Sequence, residues 1–145
     1  MNQMLLVILL IISLSSRLYA QIDLETIKQI ESGGNPTAFN QRTGALGAYQ
    51  ITRICLTDFN KECRKSLKRR DLYNQKISRR IARWYLEIRI PQILKANGIQ
   101  VTKERVLAAY NGGPRRVIKR HKLPKETTNY IKKYNKFERT KRYIK

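Results

Sequence analysis

Past residue 21 the chain is patterned almost everywhere at the helical period, and residues 35–48 are the one stretch that breaks it. Leu24, Ile27 and Ile30 recur at helical spacing behind Asp23, a good first-turn cap, and Gly33-Gly34 stops that helix just after Glu31. Residues 35–48 are rich in Gly, Asn, Pro and Thr instead, and short strands or an irregular hairpin are expected there. Thr52 begins a second helix running to about Glu62, and the basic run 65–70 follows. Asp71 is expected to cap a longer helix in which Ile77, Ile81, Trp84, Tyr85 and Ile88 form one core-facing stripe until Pro91 breaks or kinks it. Thr102 starts another helix through Val106, Leu107, Ala108 and Ala109, stopped at Tyr110-Asn111-Gly112-Gly113. Pro114 and Pro124 each suit the first position of a further helix. The expected fold class is mainly α with a small irregular β-hairpin region.

Residues 1–20 read as an address. The uncharged run at residues 4–14 is short for a membrane span and leads through serines to Leu18-Tyr19-Ala20, where a small residue permits cleavage. A signal peptide is the favoured reading and a retained N-terminal membrane anchor the competing one; both place the protein outside the cytoplasm, in the periplasm or extracellular and wall-associated. One catalytic domain is then expected over residues 21–135, with a basic tail at 136–145 that adds nothing to the core.

Of 145 residues, 31 are Lys or Arg and 10 are Asp or Glu, a formal charge of +21 that points to a polyanionic partner. Only Arg17, Lys28, Arg42 and Arg53 precede residue 61, so chemistry gathers in the front third and charge behind it. An anionic wall or membrane surface fits this charge best. Aromatics interleaved with cations at residues 130–137 have a texture also used on single-stranded nucleic acid, but the export leader and the lack of a nucleic-acid module argue against a specific nucleic-acid partner. Cys55 and Cys63, eight residues apart, are expected to form a disulfide in an exported protein, with two buried thiols as the alternative reading. Their spacing and the single His, His121, offer no zinc set, and no cofactor is expected.

Glu31 stands out chemically. A carboxyl at the end of a packed helix, beside glycines that let a ligand approach the backbone, can be desolvated enough to keep its proton near neutral pH, as a general acid must. Two further segments carry the same kinds of group, polar amides and phenols beside glycine: Gly44-Ala45-Leu46-Gly47-Ala48-Tyr49-Gln50-Ile51 and Ala108-Ala109-Tyr110-Asn111-Gly112-Gly113-Pro114. That is the composition of a cleft floor.

Taken in order with Glu31-Ser32 and with Pro124-Lys125-Glu126-Thr127-Thr128-Asn129-Tyr130-Ile131, these segments resemble the catalytic domain of the soluble lytic transglycosylases, a lysozyme-like family related to goose-type lysozyme. The resemblance spans about residues 22–134. It departs at Ala48-Tyr49, where the family has Leu-Met, and at Thr52-Arg53-Ile54-Cys55, where it has Met-Pro-x-Thr; in relatives these positions line the sugar cleft.

The resemblance implies peptidoglycan glycan strands as substrate and cleavage between N-acetylmuramic acid and N-acetylglucosamine without attacking water. Glu31 would be the single acid and base; Ser32, Gln50, Tyr110 and Asn111 would hold the sugar, and Tyr130 would hydrogen-bond near Glu31. The residues agree with a one-carboxylate scheme, since two-carboxylate glycosidases need a second acid across the bond and residues 32–57 contain none. A hydrolytic muramidase, an inactive relic and a non-catalytic cationic binding protein are the alternatives. A secretion apparatus, a conjugation apparatus, a phage and general wall turnover are the alternative settings.

Overall fold

A computed structural model describes residues 22–119 and 122–143; the leader and His121 lie outside them. Among the described residues seven α-helices follow one another: α1 (Leu24–Ser32), α2 (Arg53–Glu62), α3 (Gln75–Trp84), α4 (Ile90–Ala96), α5 (Lys103–Gly112), α6 (Pro114–Ile118) and α7 (Lys125–Tyr143). A 3-10 turn at Arg69–Tyr73 precedes α3, and a π turn at Tyr85–Arg89 joins α3 to α4.

Local chemistry explains most boundaries. Asp23 accepts from the Glu25 N–H at 3.1 Å, Thr52 from Cys55 at 3.2 Å and Thr102 from Arg105 at 3.3 Å, so the expected cap Asp23 and the threonines at two expected helix starts each satisfy an orphan donor. Gly33, at φ 63°, closes α1 by donating to Gln29. Pro114 opens α6, whereas α7 starts one residue after Pro124.

Two boundaries differ from expectation. Asp71 sits inside the 3-10 turn and accepts from the Lys68 N–H at 2.7 Å, while Asn74 caps α3 through Lys76 and Ile77. Pro91 does not end the helix. A proline lacks the donor for residue 87 and its ring crowds that carbonyl, and the π turn just ahead of it absorbs the conflict. The extra residue rotates the apolar stripe. Ile81 remains buried, but Ile88 is 47% exposed, and Leu86 and Ile90 take the core positions instead.

Residues 35–51 form no hairpin. The antiparallel bridges Phe39 to Leu46 and Leu46 to Ile51 stand isolated, because the chain turns too often for a ladder to extend. Gly44 donates to Asn40 and Gln50 to Gly47, each closing a tight turn, while Gly47 donates to Ala38 across the loop. The expected short strands or hairpin therefore give way to a coiled, glycine-dependent loop.

Cys55 and Cys63 are both free thiols, Cys55 buried and Cys63 half-buried. They lie on α2 and at its C-cap, so eight residues of helical rise hold their Cα atoms about 12 Å apart. A disulfide needs less than about 7 Å. The expected staple is ruled out by the helix itself.

The core is built around α5, whose consecutive Val106, Leu107, Ala108 and Ala109 are all buried, so this helix is covered on every side. It packs on α7, α6, α4 and the π turn, while α1 packs on α7 and α3. Tyr134 of α7 is fully buried, and its hydroxyl accepts from the Asp23 N–H at 2.7 Å, tying the last helix to the first.

Beyond Tyr134 no described residue is buried. That segment nonetheless continues α7 and is pinned by ion pairs of Glu138 with Lys103 and of Lys141 with Asp23.

Candidate active site

Glu31 lies in the last turn of α1, with the loop of residues 40–52 on one side and α5 and α7 on the other. A pocket of about 180 Å³ opens over it. Burial pushes the Glu31 carboxyl up to about 7, against the opposing pull of the Tyr130 hydroxyl and the Lys133 charge. The Tyr130 O–H, delivered by α7, donates to Glu31 Oε1 at 2.8 Å. A carboxyl with this pKa is protonated in a large fraction of molecules at neutral pH and can also release that proton, the property a group needs to act as both acid and base.

Tyr110, near the end of α5, donates its hydroxyl to the Tyr49 carbonyl at 2.7 Å, which anchors the loop to the helix. Its hydroxyl hydrogen is thus occupied, leaving the oxygen lone pair and the ring for a ligand; burial holds its pKa well above the usual phenol range. Asn111 follows on the same pocket wall. Gln50 reaches the pocket from a backbone at φ 48°, a left-handed conformation costly for a residue with a side chain. Its amide nitrogen donates to the Gly47 carbonyl at 3.0 Å, which fixes the orientation of the amide.

Ser32 is placed differently from the other four. Its hydroxyl donates to the Ala48 carbonyl at 2.8 Å, so it fastens the loop to the end of α1 and does not line the pocket. Ala48 and Tyr49 are fully buried, so these two family departures alter the core and not the sugar-facing wall. The second pair of departures is different: Thr52 and Cys55 do line the pocket.

The pocket also holds residues that sequence reasoning passed over. Tyr85, assigned to a core stripe, lines it through the π turn and sits 6.0 Å from Tyr110 between ring centroids. Arg42 and Glu126 meet at 3.0 Å, joining the loop to the first turn of α7. Glu126 lay within a quoted family segment and could have been found there; nothing in the sequence singled out Arg42. Among the described residues no three His, Cys, Asp or Glu groups gather as a metal site.

Comparison with protein-family models matches the transglycosylase SLT domain over residues 20–133. The chain belongs to this family. The match runs from ahead of α1 into α7, so Glu31, Gln50, Tyr110, Asn111 and Tyr130 all fall inside one SLT domain with its lysozyme-like helical fold. Neither the curated proteins nor the solved structures compared with the chain yielded a match. Membership makes this SLT domain, at the level of the family, a transglycosylase-type enzyme acting on the glycosidic bonds of peptidoglycan, which places its work at the cell wall. Among the described residues no helix is long and apolar enough to cross a membrane.

Proposed function

We propose that this domain is a lytic transglycosylase that cuts the β-1,4 bond between N-acetylmuramic acid and N-acetylglucosamine and leaves 1,6-anhydromuramic ends. The observation that carries this reading is the Glu31 carboxyl, desolvated to a pKa of about 7 and hydrogen-bonded by Tyr130 inside a pocket of polar groups.

Glu31, protonated, donates its hydrogen to the bridging glycosidic oxygen as the bond to the anomeric carbon breaks. The N-acetylglucosamine side departs as an alcohol. The carboxylate then takes the proton from the 6-hydroxyl of the same muramic residue while that oxygen closes onto the anomeric carbon. The proton count balances and Glu31 is regenerated. Tyr130 supports the charged intermediate stage, since a hydrogen bond to a carboxylate favours ionisation. Gln50, Tyr110 and Asn111 hold the sugar, and Ser32 supports the loop that carries Gln50.

One observation favours a second reading, hydrolysis: Glu126 gives the pocket another carboxylate. It is held by Arg42 at the exposed mouth, and that ion pair engages the oxygen a water would need. Mass analysis of digested peptidoglycan separates the two. Muramic ends lacking one water support transglycosylation, and fully hydrated reducing ends overturn it. The exported, wall-associated location and the use of the basic surface on anionic polymers belong to this same proposal.

A further inference from the structure

Among the described residues α7 is the longest helix, and its two faces do different work. The inner face is spent on the fold: Thr127, Tyr130 and Tyr134 are buried, and Tyr130 reaches Glu31. The outer face carries Lys125, Asn129, Lys132, Lys136, Arg139 and Tyr143, alternately four and three residues apart, so they form one row about 27 Å long. All six are exposed, Tyr143 by 89%.

The charge of this row is uncompensated. α7 has two acids, and both turn to other elements, Glu126 to Arg42 and Glu138 to Lys103. The four cations of the row meet no carboxylate among the described residues, and Arg139 spends one N–H on the Asn135 carbonyl of its own helix at 3.3 Å. A straight row of cations that ends in an exposed ring, with Phe137 36% exposed at its edge, suits a flat anionic surface with an apolar layer just beneath it. The entry of the chain points the same way. Asp23 is held to this half of α7 by the Tyr134 hydroxyl at 2.7 Å and by Lys141, and seven residues separate Ile22 from the uncharged run at 4–14.

We propose that the outer row of α7 is a docking surface for anionic phospholipid headgroups, which lays this helix flat along a bilayer. The cations take the phosphates, and Tyr143 and Phe137 sit at the interface. Glu126, one residue and about 100° round the helix from Lys125, is at the rim of the catalytic pocket, so docking leaves that pocket open to the side. The domain is thereby held against the wall layer next to the membrane, whichever reaction Glu31 performs.

The test is co-sedimentation of the full chain with vesicles of phosphatidylcholine, with and without added phosphatidylglycerol. Binding to the neutral vesicles reads the apolar run, and the excess on anionic vesicles reads the charge. Each cation near an anionic leaflet adds about fivefold in affinity, so Lys132→Gln with Lys136→Gln and Arg139→Gln is expected to lower the excess by about a hundredfold. Lys132→Glu with Lys136→Glu and Arg139→Glu abolishes it. A control set of the same charge change, Lys61→Glu with Lys65→Glu and Arg70→Glu, lies at exposed positions outside α7 and leaves most of the excess in place. Thermal melts confirm folding, and the Gln set serves where reversal unfolds the chain. Equal losses in the two reversal sets would show that net charge alone acts, and a parent that sediments alike with both vesicles would show no headgroup site; both outcomes overturn the proposal. Soluble polyphosphate supplies the other kind of polyanion. Its affinity is expected to fall alike in the two reversal sets, and a loss confined to the α7 set would assign the row to linear polymers and overturn the membrane reading.

Discussion

Glu31 is held at a cost to the fold. Its folded pKa of about 7 lies above the ordinary value of 4.5, so between these the folded chain keeps a proton that the unfolded chain has lost. The stabilisation is complete below the ordinary value and is lost as pH rises through 7, a difference of about 3 kcal/mol. Glu31→Gln removes this dependence. Measured by denaturant melts, the variant's stability relative to the parent is expected to improve by about 3 kcal/mol between pH 4 and pH 8, while wall-clearing activity disappears; parallel pH profiles for the two proteins would show that Glu31 is solvated. Tyr130→Phe acts in the other direction on the titration. Without the donor at 2.8 Å the carboxylate loses support, so the limb of the pH–rate profile set by the acid moves to higher pH and kcat falls. An unmoved limb would mean that the tyrosine only packs.

Among the elements, the loop of residues 35–51 determines whether there is a site at all, because it carries Gln50 and seats Tyr110 through the Tyr49 carbonyl. Its hinge is Gly47, at φ 78°, where an added Cβ would meet the Leu72 carbonyl oxygen at 2.2 Å. Flexible side chains could yield, but this neighbour is backbone of the 3-10 turn. Gly47→Ala is therefore expected to destabilise by roughly 3 kcal/mol or more and to raise KM by displacing Gln50. Thermal melts alongside saturation kinetics check it. The π turn is the other functional element: by absorbing Pro91 it turns Tyr85 away from a simple core stripe toward the catalytic pocket.

For the whole molecule, +21 over 145 residues is far from neutrality, and most cations lie behind the catalytic front third. Long-range attraction of this kind weakens once the screening length falls to about 10 Å near 0.1 M salt. Binding to isolated sacculi is expected to fall steeply as salt is raised, whereas kcat on short glycan oligomers, which carry few charges, stays nearly constant. Salt-independent sacculus binding would remove the electrostatic role. The tie of Tyr134 to Asp23 joins α7 to the start of α1, the same two helices that bring Tyr130 to Glu31.

Most helix starts and glycine stops were legible along the chain, because each depends on neighbours within four residues. The three caps at Asp23, Thr52 and Thr102 are of this kind. Family landmarks extended that reach to Tyr130, and its contact with Glu31 is present in the fold. The hairpin and the Cys55–Cys63 staple failed for opposite reasons: glycine turns come too close together for a ladder, and a continuous helix keeps the two thiols apart. Which side chains face the cavity followed from packing between segments distant in the chain. Ser32 spends its hydroxyl on Ala48, Tyr49 is drawn into the core, and Arg42 reaches a glutamate 84 positions away. Such partners are set by burial and the three-dimensional path of the backbone, and neither is written in local residue spacing.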